Sequence, residues 1–195
     1  MIWKYVFHGA FACLAIVATV FALAGAVKAD EEVKELKLGD PAPALQLAEW
    51  LQGGPIALSE GKGTKVYVVE FWATWCPPCR VAIPHLNELY KKYKDQGLEV
   101  VAITDEDPEY VKEFLTEQGP KMVYPVAVDR DQLTAIAYML GVNINTIPHA
   151  FVIDSNGKLV WHGNPMNGLE DAVKQHLPKT DRTPSRVKTP GGSEA

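Results

Sequence analysis

An apolar run over residues 66–73, V-Y-V-V-E-F-W-A, gives way within three residues to Cys76-Pro77-Pro78-Cys79 and then to a helical pattern. This junction constrains the fold more than any other stretch of the chain. The run is rich in β-branched and aromatic residues, as expected of a strand covered on both faces. Pro77 and Pro78 preset the φ of a first helical turn and lack N–H groups that would have no partner there. A cysteine at the start of such a helix faces unpaired N–H groups and the positive end of the helix dipole, which favour the thiolate. Cys76 is therefore the expected nucleophile. Cys79, one turn further in, is placed to attack a mixed disulfide formed at Cys76.

Two other uses of the pair fit less well. Structural zinc needs about four ligands, and neither a second C-x-x-C nor an H-x3-H follows. A bridge spanning two residues closes so small a loop that it constrains the unfolded chain little. A redox-active dithiol is the reading that uses the strand-to-helix setting.

The N-terminus sets the compartment. Lys4 is followed by an apolar run over residues 5–27, relieved only by His8, glycines and Thr19, and residues 1–29 read as an export segment. Ala24-Gly25-Ala26 and Val27-Lys28-Ala29 both offer a small-residue cleavage site. The run is also long enough, at about 1.5 Å per residue, to cross a hydrocarbon core of about 30 Å, so an uncleaved membrane tether through residues 5–27 is the alternative. In either case Asp30, Glu31 and Glu32 emerge outside. Cys13 precedes most of the run and reads as an apolar filler, not a lipid-modified residue. Residues 30–37 read as a linker. Residues 178–195, with three prolines and Val187 as their only aliphatic side chain, read as a disordered tail.

Between these ends, residues 38–177 suffice for one core and are too few for two ordinary domains. The chain has 24 acidic and 19 basic residues, a net charge of −5. That balance argues against binding nucleic acid or coating an anionic membrane. Extended segments are expected at residues 45–50, 55–58, 66–73, 98–104 and 124–128. Helices are expected at 76–94, with a kink at Pro84, at 108–118, with Tyr110, Val111, Phe114 and Leu115 on one face, and at 131–140, ended by Gly141. A hairpin at 150–153 and 158–162 turns on Asp154-Ser155-Asn156-Gly157, and a last helix covers 168–177. Alternating strands and helices predict an α/β fold, with parallel pairing, right-handed crossovers and a terminal antiparallel hairpin.

Phe71-Trp72-Ala73-Thr74-Trp75-Cys76-Pro77-Pro78-Cys79-Arg80, Pro84 five residues after the second cysteine, and Thr146-Ile147-Pro148-His149-Ala150-Phe151-Val152-Ile153-Asp154 together resemble the thioredoxin superfamily, and within it the exported TlpA-like and ResA-like thiol-disulfide oxidoreductases. The resemblance implies a thioredoxin-like fold, a central mixed sheet flanked by helices with an N-terminal β extension. It also implies that protein disulfides are reduced at Cys76 and Cys79, outside the cytoplasm and in a periplasm if the source is bacterial. Electrons would come from a membrane thiol donor, with no cofactor beyond the dithiol itself. Glu70, an acid in an apolar strand, would lie beneath the dithiol and take a proton from Cys79; its other reading is an ion pair with Lys65. Pro148 would be cis and pack against the dithiol, with Ile147 offering its backbone to an extended substrate. Trp75, Pro77 and Pro78 would contact the substrate. Trp72 would be core, Gly163 would lie near the site, and His149 reads as an ordinary polar residue at a strand start, with no role evident for His162.

One position departs from the pattern. Many of these reductases carry a glutamate three residues after the second cysteine, where this chain has Ala82, which argues against a dedicated role in haem attachment to cytochromes. The direction of electron flow depends on a reduction potential that the residues do not state. Two rival functions are a Cu(I)-carrying chaperone, which a soft dithiol could serve but no Met- or His-rich tract supports, and a thiol peroxidase, whose P-x-x-x-T-x-x-C context Cys76 lacks.

Overall fold

The computed structural model describes residues 33–178. The expectations for the export segment, Cys13 and nearly all of the C-terminal tail lie outside those residues. Six strands form one sheet, β1 (Leu47–Gln52), β2 (Val66–Phe71), β3 (Leu98–Thr104), β4 (Val126–Asp129), β5 (His149–Ile153) and β6 (Leu159–Gly163), in the order β1-β4-β3-β2-β5-β6. The β2-β3-β4 core is parallel, β5 and β6 run antiparallel beyond β2, and β1 pairs antiparallel with β4 at the other edge. This is the thioredoxin-like mixed sheet that the alternation of elements predicts, with β1 as its N-terminal extension.

Side-chain alternation along β2 divides the core into two layers. Val66 and Val68 face helices α1 (Pro77–Tyr93), α2 (Pro108–Gln118) and α4 (Leu169–His176), packing with Leu86, Leu89, Val111, Phe114 and Leu169. Tyr67, Val69 and Phe71 face the other way, onto Tyr138, Met139 and the N-terminal segment. With both faces covered, every residue of β2 is buried, which is why the strand reads as a nearly continuous apolar run.

The helices keep most of their expected bounds. Pro84 lies inside α1 without ending it, and α1 passes into a short 3-10 turn, Lys94–Gln96, closed by Gly97 at φ 97°. In α2 the buried positions are Val111, Phe114 and Leu115, whereas Tyr110 is turned into solvent, one residue off the apolar stripe.

Two expectations are corrected. Residues 55–58 pair with no strand among the described residues; Ile56 and Leu58 instead press their side chains against the second core layer, so side-chain burial and not a hydrogen-bond ladder holds them. The helix expected at 131–140 is a short α-turn, α3 (Leu133–Ala135), running into a π-helix, Ile136–Leu140. It starts late because Asp131 and Gln132 are left-handed, and the Asp129 carboxylate caps it by accepting from the N–H groups of Thr134 (3.0 Å) and Ala135 (2.8 Å). Gly141 does not terminate it through a left-handed conformation. Its missing side chain lets Leu36 and Lys34 pass close by, while Asn143, at φ 57°, makes the turn.

The expected linker, residues 30–37, includes a core contact. Leu36 is buried, and its N–H donates to Gly141 O at 2.8 Å. Beyond it the chain runs beside the hairpin: Gly39 N–H donates to Leu159 O, Leu159 N–H to Asp40 O and Ala42 N–H to Gly157 O.

Candidate active site

The C-terminal end of β2 delivers the dithiol. After Phe71, residues 73–76 form a turn in which Cys76 N–H donates to Ala73 O at 3.2 Å, and α1 begins at once with Pro77 and Pro78. Cys76 is the N-cap of α1: its Sγ accepts the N–H of Cys79 at 3.2 Å. The two sulfurs are joined in a disulfide, with Cα atoms 5.3 Å apart. Both cysteines are buried in the disulfide form, Cys76 at the N-cap of α1 and Cys79 within its first turn. In the reduced protein the helix N-terminus and the Cys79 N–H would both stabilise a thiolate on Cys76.

Glu70 lies one layer below. It sits on the central strand between Ala102 of β3 and Ala150 of β5, and its position along β2 puts it on the face that α1 covers. No ion pair of the described residues includes it; Lys65, the partner considered from sequence, binds Glu99 at 2.6 Å instead. Burial without a cation raises the carboxyl to about 8. A carboxyl with that affinity can hold or release a proton near neutral pH.

The Ile147–Pro148 bond is cis, and Ile147 O lies 3.9 Å from Cys76 Sγ. The loop before β5 thus brings a backbone carbonyl to the Cys76 sulfur. Beside it a groove of about 310 Å³ opens between Trp75, Ile147, Ile136, Met139, Leu140 and Asp105. Trp75 is 69% exposed at its rim, while Trp72 is core at 2%. Pro77, Pro78 and Val81 continue the exposed apolar surface along the start of α1. A second cleft, near Ala42, Ile56 and the hairpin turn, lies at the opposite end of the sheet from the sulfurs.

The arrangement has counterparts. Residues 38–162 match the model of the AhpC/TSA family. The thiol-disulfide oxidoreductase ResA of Bacillus anthracis is 39% identical over 133 residues, covering 68% of this chain and 71% of the relative. The chain belongs to the ResA-like thiol-disulfide oxidoreductases. ResA of Oceanobacillus iheyensis is 31% identical over 162 residues, covering 80% of this chain and 79% of that one. Among solved structures, a thioredoxin family thiol:disulfide interchange protein from Chlorobium tepidum is 30% identical, with a TM-score of 0.60 over 72% of this chain and 98% of that one.

The redox group of this oxidoreductase is the Cys76–Cys79 disulfide, and the enzyme works by thiol-disulfide exchange, in which a dithiol in one partner passes two electrons to a disulfide in the other. Two features of the oxidoreductase were not anticipated from sequence. One is a pair of histidines: His149 Nε2 lies 3.1 Å from His162 Nδ1, with His162 stacked on Phe151. Counting outward from the hairpin turn would pair Phe151 with Trp161; a register shift between Val152 and Ile153 pairs it with His162 instead, and so brings His162 to the face of β5 that carries His149, two residues from Phe151. The other is the Glu106 carboxylate, which binds Thr74 of the turn before Cys76.

The histidine pair makes stability depend on pH. Burial and the neighbouring His162 push His149 down to about 4, and burial pushes His162 down as well. The unfolded state then binds protons that the folded state refuses between about pH 6.5 and 4. This contribution is complete above pH 6.5 and is lost as pH falls toward 4, by up to about 3 kcal/mol for His149. Urea unfolding of the wild type and of His149→Gln across pH 4–7 tests this. The difference in stability between the two should shrink on acidification, and a constant difference would refute it.

Proposed function

We propose that this oxidoreductase reduces disulfides in proteins outside the cytoplasm, through Cys76 as attacking thiolate and Cys79 as resolving thiol. In the reduced enzyme, Cys76 Sγ attacks one sulfur of a substrate disulfide. A Cys76–substrate disulfide forms as the substrate's own bond breaks, and one substrate thiolate leaves and takes up a proton. Cys79, giving its proton to Glu70, attacks Cys76 Sγ and expels the second substrate sulfur. Two electrons pass to the substrate and the Cys76–Cys79 disulfide remains. A thiol donor at the membrane returns the enzyme to its dithiol form.

The observation that carries this reading is the placement of Cys76 Sγ at the N-cap of α1 and 3.9 Å from the carbonyl of Ile147, which lines the neighbouring groove. An extended substrate segment would lie along Ile147 and Pro148, with an apolar side chain next to its half-cystine seated against Trp75, Pro77 and Pro78. Glu70, at about 8, is mostly protonated at neutral pH, and its ionised fraction, about a tenth at pH 7, supports the resolving role of Cys79 as a proton acceptor. The apolar stretch 5–27 supports export, with cleavage after Ala26 or Ala29 or retention as a tether. Ala82, fully buried in the core, puts a methyl where many relatives of this kind carry a carboxylate, which favours general disulfide reduction over a dedicated cytochrome role.

The deciding experiment is the equilibrium reduction potential of the Cys76–Cys79 pair in a thiol redox buffer. A value near about −270 mV, that of thioredoxin, is expected. A value near about −120 mV, that of the strong periplasmic oxidants, would reverse the direction of transfer and leave the roles of the two cysteines unchanged.

A further inference from the structure

Among the polar groups that the exchange chemistry does not use, the Glu106 carboxylate accepts three hydrogen bonds, two of them from the turn that leads into Cys76. Its Oε2 accepts the backbone N–H of Thr74 at 2.6 Å, and its Oε1 accepts the Thr74 hydroxyl at 2.6 Å. The hydroxyl of Thr104, buried at the end of β3, donates to Oε2 at 3.1 Å and accepts Glu106 N–H at 3.4 Å. None of the ion pairs among the described residues includes Glu106. An anionic side chain thus spends its acceptor capacity on neutral donors of one turn.

That turn presents the nucleophile. Thr74 is its second residue and Cys76 its fourth, closed by Cys76 N–H to Ala73 O. Core packing holds Ala73 and Cys76 at the two ends of the turn, but Thr74 is only half-buried and Trp75 is exposed, so the middle of the turn lacks that support. Charge-assisted hydrogen bonds are short and strong, and a two-oxygen grip on both the N–H and the hydroxyl of one residue fixes its orientation as well as its position. The orientation matters because Cys76 Sγ must lie on the axis of α1 and within reach of Cys79 N–H, now 3.2 Å away.

We propose that Glu106 is a positioning residue for the dithiol, clamping Thr74 so that Cys76 Sγ is held where the first turn of α1 stabilises its thiolate. The proposal rests on Cys76 being the nucleophile and is indifferent to the direction of electron transfer. It carries a sign that separates it from simple electrostatics. A carboxylate near a thiolate repels it, so removing the charge alone would lower the Cys76 pKa. Removing a clamp that aligns the sulfur with its N–H donors raises it.

The test is the pH dependence of alkylation of the reduced full chain by iodoacetamide, with the modified cysteine mapped by mass spectrometry. In Glu106→Ala the Cys76 pKa should rise by about half a unit or more, roughly a threefold loss of thiolate below the pKa. In Glu106→Gln the Cys76 pKa should stay level or fall slightly, because the charge is gone while the amide oxygen still accepts the Thr74 N–H and the amide nitrogen can donate to the Thr74 hydroxyl. Thr74→Val, which loses only the hydroxyl contact, should shift upward. An unchanged or lowered pKa in Glu106→Ala overturns the proposal, whatever happens to thermal stability. If that variant does not fold, the sign of the shift in Thr74→Val decides. Alkylation falling first on Cys79 in the wild type would instead refute the assignment of Cys76 as nucleophile.

Discussion

Cys79→Ala, made in a Cys13→Ala background, is expected to stop turnover and leave the protein covalently joined to its substrate through Cys76. The resolving attack needs a second thiol within reach of the mixed disulfide, and Cys79 is the residue whose sulfur bonds Cys76 Sγ. With alanine at 79 the first half of the exchange remains possible and the second does not. Non-reducing electrophoresis should show adducts that collapse on adding a thiol, and mass spectrometry should place the link at Cys76. Cys76→Ala should be equally inactive but form no such adducts, because Cys79 lies inside the first helical turn and lacks the N-cap position that favours a thiolate on Cys76. Adducts through Cys79 at comparable yield would invert the two roles. The same variant also identifies substrates, since the adduct retains its partner.

The second large effect joins stability to catalysis at Glu70. The folded state raises this carboxyl to about 8, so between about pH 4.5 and 8 the folded protein holds a proton that the unfolded chain releases. The burden of burial is absent below pH 4.5 and grows as pH rises toward 8. At pH 7 it amounts to about 3 kcal/mol, from roughly 2.5 pH units at 1.36 kcal/mol each. Glu70→Gln should therefore make the oxidised protein more stable at pH 7, by about 1 to 3 kcal/mol after allowing for the buried amide. The gain should vanish below pH 4.5. The same variant should slow the release of substrate from the Cys76 mixed disulfide at neutral pH, on the order of 10²-fold, because the ionised fraction of Glu70, about a tenth at pH 7, is no longer there to accept the Cys79 proton. Urea unfolding across pH and rapid-mixing kinetics of the resolving step measure the two effects. A destabilised Glu70→Gln with unaltered resolution would show Glu70 to be a structural acid.

The parts of the fold that were legible in the sequence are those where local pattern and tertiary environment agree. Strand β3 and helix α2 have the expected bounds, because the run 98–104 is buried on both faces and Asp107-Pro108 starts a helix by capping and by fixed φ. The dithiol was equally plain, since proline, helix start and cysteine spacing all concern neighbours in sequence. The π-helix was hidden because its start is set by the Asp129 carboxylate and by two left-handed residues that are not glycines, features that no apolar periodicity encodes. The Glu106 clamp and the histidine pair were hidden for a similar reason. Each joins residues whose separation, 32 and 13 positions, says nothing about contact until the sheet order brings the ends of β2 and β3, or of β5 and β6, together. Glu70 could be singled out as a misfit, but that Lys65 would go to Glu99 was not visible in the chain.

The margins of the sheet have a consequence for how this enzyme meets its clients. Proteins with wrong disulfides tend to be partly unfolded and to offer extended backbone, which adds readily to any open sheet margin. At one margin β1 breaks register twice, between Leu47 and Glu49 and between Trp50 and Gln52. At the other, the hairpin end of β6 is already paired with residues 39–42. Interrupted and strapped margins are poor templates for strand addition. A misfolded chain is thereby discouraged from sticking as an extra strand far from the sulfurs. On the function proposed above, a client's backbone is captured at the short stretch around Ile147, where holding the client and exchanging its disulfide are one event, so that release follows from the chemistry itself.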